Sequence, residues 1–170
     1  MKPVIFFFLI VWGGFGANAQ KPDPTRSFTI SGDVRNSKLV SIRDFSSYKN
    51  FDIGEVVITN HLGEKKSDAI GLKGILLKDV LASVELNVEL PKDMSTFYFV
   101  CKAVDGYSVV FSWNELFNNP SGESIYIITE KNGQSVDKMP DSILLLSPKD
   151  FRTGRRHVKS LASIEVKRAR

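Results

Sequence analysis

Cys101 is the only cysteine in the 170 residues, so the chain can make no internal disulfide and must be held by a hydrophobic core. That constraint weighs more because the N-terminus reads as an export signal. Met1-Lys2-Pro3 is followed by an unbroken apolar run from Val4 to Trp12, then by Gly13-Gly14-Phe15-Gly16 and the small-residue site Ala17-Asn18-Ala19. The run falls well short of the roughly 20 apolar residues that span a bilayer. The pattern predicts a signal peptide over residues 1–19, cleaved after Ala19. An uncleaved anchor is the competing reading, and it fits less well because small residues replace the polar flank. No cysteine stands at the cleavage site to take a lipid. The expected location is therefore periplasmic or secreted, with no stable membrane span after cleavage, in a compartment where small domains ordinarily rely on disulfides.

The 151 residues from Gln20 onward suffice for one core and are too few for two ordinary domains. Residues 20–27, containing Lys21-Pro22-Asp23-Pro24-Thr25, read as an extended leader, and 28–170 as the domain. Beyond the signal, 22 basic residues face 19 acidic ones. So mild an excess does not make the basic face of a nucleic-acid binder, and no nucleic-acid partner is expected. The exception is local: Arg152, Arg155, Arg156, Lys159, Lys167, Arg168 and Arg170 crowd the C-terminal end. One cysteine and two separated histidines, His61 and His157, offer no recognisable metal-ligand spacing.

Period-two and apolar runs predict strands at Phe28–Val34, Leu39–Ile42, Glu55–Thr59, Thr96–Ala103, Tyr107–Phe111, Ile125–Thr129, Ile143–Leu146 and Ile164–Lys167. Glu55–Thr59, rich in β-branched residues, is expected to be buried. Asp105-Gly106 predicts a tight hairpin turn. Ser112 is expected to cap a short helix over Trp113–Phe117, with Glu115 in the capping-box position. Gly71–Leu77 should lead into a helix whose Leu77, Val80, Leu81 and Val84 form one stripe, and a helical turn is expected near His157–Leu161. Strands outnumber helices and alternate with them irregularly. The predicted class is α+β, a single compact domain with a mixed β-sheet core and short helices.

In order along the chain, several segments together resemble the molybdopterin-binding domain of sulfite-oxidase-type oxidoreductases. They are Phe28–Val34 with Ser41–Phe45, Leu72-Lys73-Gly74-Ile75-Leu76-Leu77-Lys78-Asp79-Val80-Leu81, Asp105-Gly106-Tyr107 through Phe111 with Glu115-Leu116, Asn132-Gly133, Ser147-Pro148-Lys149-Asp150, and Gly154-Arg155-Arg156-His157-Val158-Lys159 through Val166. Each piece alone is common; the order and spacing carry the resemblance. It implies a sulfite-oxidase-like fold, molybdopterin as the cofactor class, and a cysteine thiolate as a further sulfur ligand to molybdenum.

In that family the cysteine follows the strand that Val56-Val57-Ile58 resembles. Here the loop reads Thr59-Asn60-His61-Leu62-Gly63 and contains no cysteine. Cys101 lies within a predicted strand, where a packed thiol is the expected role rather than a metal ligand. The resemblance thus implies a relative without the thiolate that molybdenum would need. The cofactor-binding candidates are Thr59, Asn60 and His61 in the loop, with Arg155, Arg156 and Lys159 as cationic partners for a phosphate. A solvated basic face is the alternative for those three, and turn and strand roles are expected for Asp105 and Tyr107. No catalytic residue is assigned. Two functions stay open: an oxidoreductase-like domain lacking its metal thiolate, and an accessory module that binds an exported partner, redox or otherwise, or a small anion.

Overall fold

Period-two patterning becomes strands along most of the chain in the computed structural model, which describes residues 24–169. The expected signal peptide, residues 1–19, and the start of the expected leader lie outside the described residues. In chain order the elements are β1 (Ser27–Gly32), β2 (Lys38–Ser41), β3 (Asn50–Thr59), β4 (Lys65–Leu76), α1 (Leu77–Leu81), β5 (Phe97–Ala103), β6 (Ser108–Ser112), α2 (Trp113–Phe117), β7 (Tyr126–Lys131), β8 (Gln134–Ser135), β9 (Leu144–Leu146) and β10 (Leu161–Arg168), with short 3-10 turns between them. The domain is α+β, as the irregular alternation implies.

The strands make the mixed β-sheet core as two sheets. The first has the order β2-β1-β10-β5-β6 and is mixed, because β10 runs parallel to β1 and antiparallel to β5. In the second, the long hairpin β3-β4 pairs with β7, which also carries β8 and β9, all antiparallel. The main core lies between the sheets. Phe28, Ile30, Phe99, Cys101, Phe111 and Ile164 of the first meet Ile75, Ile127 and Leu145 of the second. A smaller cluster of Val56, Ile58, Ala69, Leu72, Ile128, Leu144 and Leu146, closed by Met139, packs on the other face of the second sheet. This explains the unbroken run Ile143–Leu146: alternate side chains serve opposite clusters, so both faces of β9 are buried.

Two expectations need correction. Glu55–Thr59 is the end of a ten-residue edge strand, and only its Val56 and Ile58 are buried while Glu55 and Val57 face outward. β-branched composition signalled the strand but not its one-sided exposure. Gly71–Leu76 belongs to β4, and the helix that follows lasts only from Leu77 to Leu81. Its stripe is real for Leu77, Val80 and Leu81, while Val84 packs from the loop beyond. By contrast, Ser112 caps α2 as expected, its hydroxyl accepting from the Glu115 N–H at 3.0 Å. Among the described residues no helix is long and apolar enough to cross a bilayer.

Because β10 sits at the centre of the first sheet, its inward side chains should carry much of the stability. Ile164 is fully buried there. Ile164→Ala is expected to destabilise the domain by about 2–5 kcal/mol, read in urea unfolding as a lowered midpoint with unchanged slope.

Candidate functional site

The polypeptide between β9 and β10 passes the turn end of the β3-β4 hairpin, and the two segments are bolted together. Thr153, almost fully buried, accepts a hydrogen bond from the Thr59 N–H at 2.9 Å and donates one to the Val57 carbonyl at 2.9 Å. Gly154 passes so close that a Cβ there would lie 2.0 Å from the Thr59 carbonyl oxygen. No residue with a side chain fits that crossing. The His61 carbonyl accepts from Arg152 Nη1 at 3.2 Å and from Arg155 Nε at 3.3 Å. Tyr107, at the β5-β6 turn, donates to the Arg155 carbonyl at 2.6 Å.

These contacts enclose a cleft of about 740 Å³ lined by Ile58, Thr59, Asn60, His61, Lys66, Ser67, Tyr107, Lys131, Gly154, Arg155, His157 and Lys159. Five of the six predicted residues meet there: Thr59, Asn60, His61, Arg155 and Lys159. Asn60 serves the turn itself. Its Oδ1 accepts from the N–H groups of Leu62 and Glu64 at 2.9 and 3.0 Å, and its Nδ2 donates to Glu64 at 2.7 Å. That leaves it little to offer a ligand.

Arg156 is a correction: it does not line the cleft. Its guanidinium forms a fork with both oxygens of Asp150, at 2.7 and 2.6 Å, pairs with Glu115, and lies 4.7 Å over the Phe111 ring. Asp150 and then Glu115 hold it firmly charged. Glu115 is therefore drawn toward Arg156, and no bond from it back to the Ser112 N–H, which would complete a capping box, is present. The helical turn expected at His157–Leu161 is a 3-10 turn at Thr153–Arg156, and Leu161 already belongs to β10.

Sequence reasoning missed Lys66, Lys131 and Tyr107 in the cleft. Lys66 reads as part of a polar loop, Lys131 as a turn residue and Tyr107 as a strand residue. Nothing in their local patterns shows that three distant segments converge.

The cleft is electropositive. Lys66, Lys131, Arg155 and Lys159 contribute four cations from three segments, β4, β7 and the connection into β10. Asp141, behind the wall, compensates two of them, pairing with Lys131 at 2.5 Å and Lys159 at 2.9 Å. Burial opposes the ionisation of Asp141, but the two lysines outweigh it and hold its pKa down to about 2. His157 presents a buried Nε2 that has no hydrogen-bond partner among the described residues. Burial first, then Lys159 and Lys131, lower its pKa to about 4, so at neutral pH it is an uncharged imidazole among cations.

Cys101 lies far from this chemistry in the fold. It is fully buried in the main core, paired across the sheet with Ile164 and Val109, and burial pushes its thiol pKa up. Among the described residues no three His, Cys, Asp or Glu side chains are grouped to hold a metal ion.

No protein-family model matches the chain, and no curated protein matches it. Among solved structures, it is similar to the sulfane dehydrogenase SoxCD from Paracoccus pantotrophus, with a TM-score of 0.60 and 12% sequence identity. The likeness covers 82% of this chain and 37% of that one. At that identity it shows a shared fold, one that an oxidoreductase uses as part of a longer chain.

Two shifted groups at the cleft contribute to the acid limb of stability. The folded pKa of His157, about 4, lies below its ordinary 6.5, so the unfolded chain binds the proton first. Stability is full above pH 6.5 and declines as pH falls toward 4, by on the order of 3 kcal/mol. The contribution of Asp141 is present above its ordinary 3.8 and is lost as pH falls toward 2. Urea midpoints followed against pH should show both stages, and His157→Gln should flatten only the upper one.

Proposed function

We propose that this is an exported, sulfite-oxidase-like domain that binds a small oxyanion-bearing ligand, such as a phosphate ester, in the cleft and does so without thiolate-ligated metal chemistry. The observation that carries this reading is the convergence of Lys66, Lys131, Arg155 and Lys159 on one cavity, with a single carboxylate behind them. Like charges gathered from separate segments repel one another, and an anion relieves that repulsion. Arg155 supplies a guanidinium whose terminal nitrogens make no hydrogen bond among the described residues, and Lys66 an ammonium likewise unengaged. Those two are suited to oxyanion contact, while Lys131 and Lys159 contribute field from their pairs with Asp141.

The phosphate of a molybdopterin-type ligand fits this set; a molybdenum centre of the usual kind does not. The loop where the family places its thiolate reads Thr59-Asn60-His61-Leu62-Gly63, and the sole thiol is sealed in the core. No redox step is assigned to the domain. His157 instead adds a neutral imidazole to the wall, its Nε2 buried rather than open to the cleft.

Titration calorimetry with inorganic pyrophosphate as the probe should show binding that weakens with salt. Arg155→Ala and Lys66→Ala should each lose about tenfold in affinity. Absence of pyrophosphate binding would overturn the anion-site reading, and molybdenum recovered at one atom per chain would overturn the thiolate-free one. Export has its own check: N-terminal sequencing of the secreted or periplasmic protein should begin at Gln20, and a chain beginning at Met1 or Lys2 would contradict a cleaved signal.

A further inference from the structure

We infer that two exposed loop tips beside the cleft, carrying Leu62 and Phe151, dock the domain on an anionic lipid surface. Phe151 is completely exposed at 104% and Leu62 is 61% exposed. An isolated surface leucine is ordinary, but a phenyl ring held entirely in water is not.

The tips are neighbours. Arg152, next to Phe151, donates to the carbonyl of His61, and its Nε lies 3.6 Å from where a Cβ on Gly63 would stand. Both are displayed from fixed backbone. Asn60 Oδ1 accepts from the Leu62 N–H itself, while Asp150 and Thr153 on either side of Phe151 and Arg152 are tied to Arg156 and the β3 backbone.

Cations surround the pair. Lys66 and Arg155 stand at the cleft, Arg152 lies between the tips, and Lys149 precedes Phe151. Nearby acids are largely engaged: Asp68 with Lys65 at 2.6 Å, Asp150 with Arg156, and Glu64 with the Asn60 amide. Asp52 and Glu55 share a cavity wall with Phe151 and oppose anionic headgroups on that side, which tilts the approach toward Leu62 and Arg152.

Two projecting tips form a convex surface. A stable protein partner needs roughly 800 Å² of matched surface per side, whereas a bilayer needs no matching shape. It accepts a protruding aromatic ring below the headgroups while lysine and arginine stems reach the phosphates.

Cosedimentation of the exported protein with vesicles tests this. Binding is expected to vesicles of phosphatidylglycerol and phosphatidylcholine in equal parts and not to phosphatidylcholine alone, and it should fall about fivefold or more in high salt. Phe151→Ser should reduce it about tenfold or more, and Leu62→Ser by less. Neither side chain is in the core, so circular dichroism and the melting temperature should stay unchanged. Both lie outside the cleft, so pyrophosphate binding should survive, which separates this inference from the anion site. Failure to bind the anionic vesicles, or binding that is indifferent to Phe151, overturns it. So does a Phe151-dependent protein partner in the absence of vesicle binding.

Discussion

The first sheet is continuous only when the last strand is in place. β10 lies between β1 and β5, so the sheet's two halves, β2-β1 and β5-β6, are joined by residues near the C-terminus. The chain that supplies β10 has just left β9 at the edge of β7 and crossed the end of the β3-β4 hairpin. One stretch thus edges the second sheet, walls the cleft and centres the first sheet. A displacement at Thr153 or Gly154 is therefore felt in the core as well as in the site, because the register of β10 fixes where the crossing can lie.

That coupling explains how the fold tolerates an electrostatically unfavourable cleft. Grouping Lys66, Lys131, Arg155 and Lys159 with a buried neutral imidazole costs stability, and Asp141 offsets only part of it. The hydrophobic side carries the difference. Without a disulfide, two clusters share the second sheet, and Ile143–Leu146 contributes to both from successive positions. The site holds residual positive charge that an anionic ligand would compensate, and the scaffold behind it is apolar and continuous.

What the sequence disclosed follows the range of the forces involved. The Asp105-Gly106 turn, the Ser112 cap and the doubly buried run at Ile143–Leu146 are local, and each is present. The β3-β4 hairpin was harder to read. Gly71 and Gly74 look like a lead into a helix, but Gly74 is a close approach to β7, where a Cβ would meet the Ile127 carbonyl at 2.9 Å. A glycine required by a neighbouring strand carries the same letter as one required by a turn. The cleft was half legible: the loop at Thr59–His61 and the basic C-terminal segment were visible as separate groups, whereas Lys66, Lys131 and Tyr107 reach it only through tertiary pairing.

The adjacent residues Arg155 and Arg156 show why the remainder was hidden. They lie in a 3-10 turn, in which successive side chains diverge by about a third of a revolution, so neighbours cannot share a surface. Which one faces the cleft depends on the phase of the turn, and that phase is set from outside it. Asp150 and Glu115 draw Arg156 over Phe111, while Tyr107 and the His61 carbonyl hold Arg155 at the mouth. Two identical side chains become a structural clamp and a free cation because their partners come from α2, the β5-β6 turn and the β3-β4 hairpin. Exchanging the two roles would require a shift of one residue at Gly154, where the Thr59 carbonyl leaves no room for a side chain.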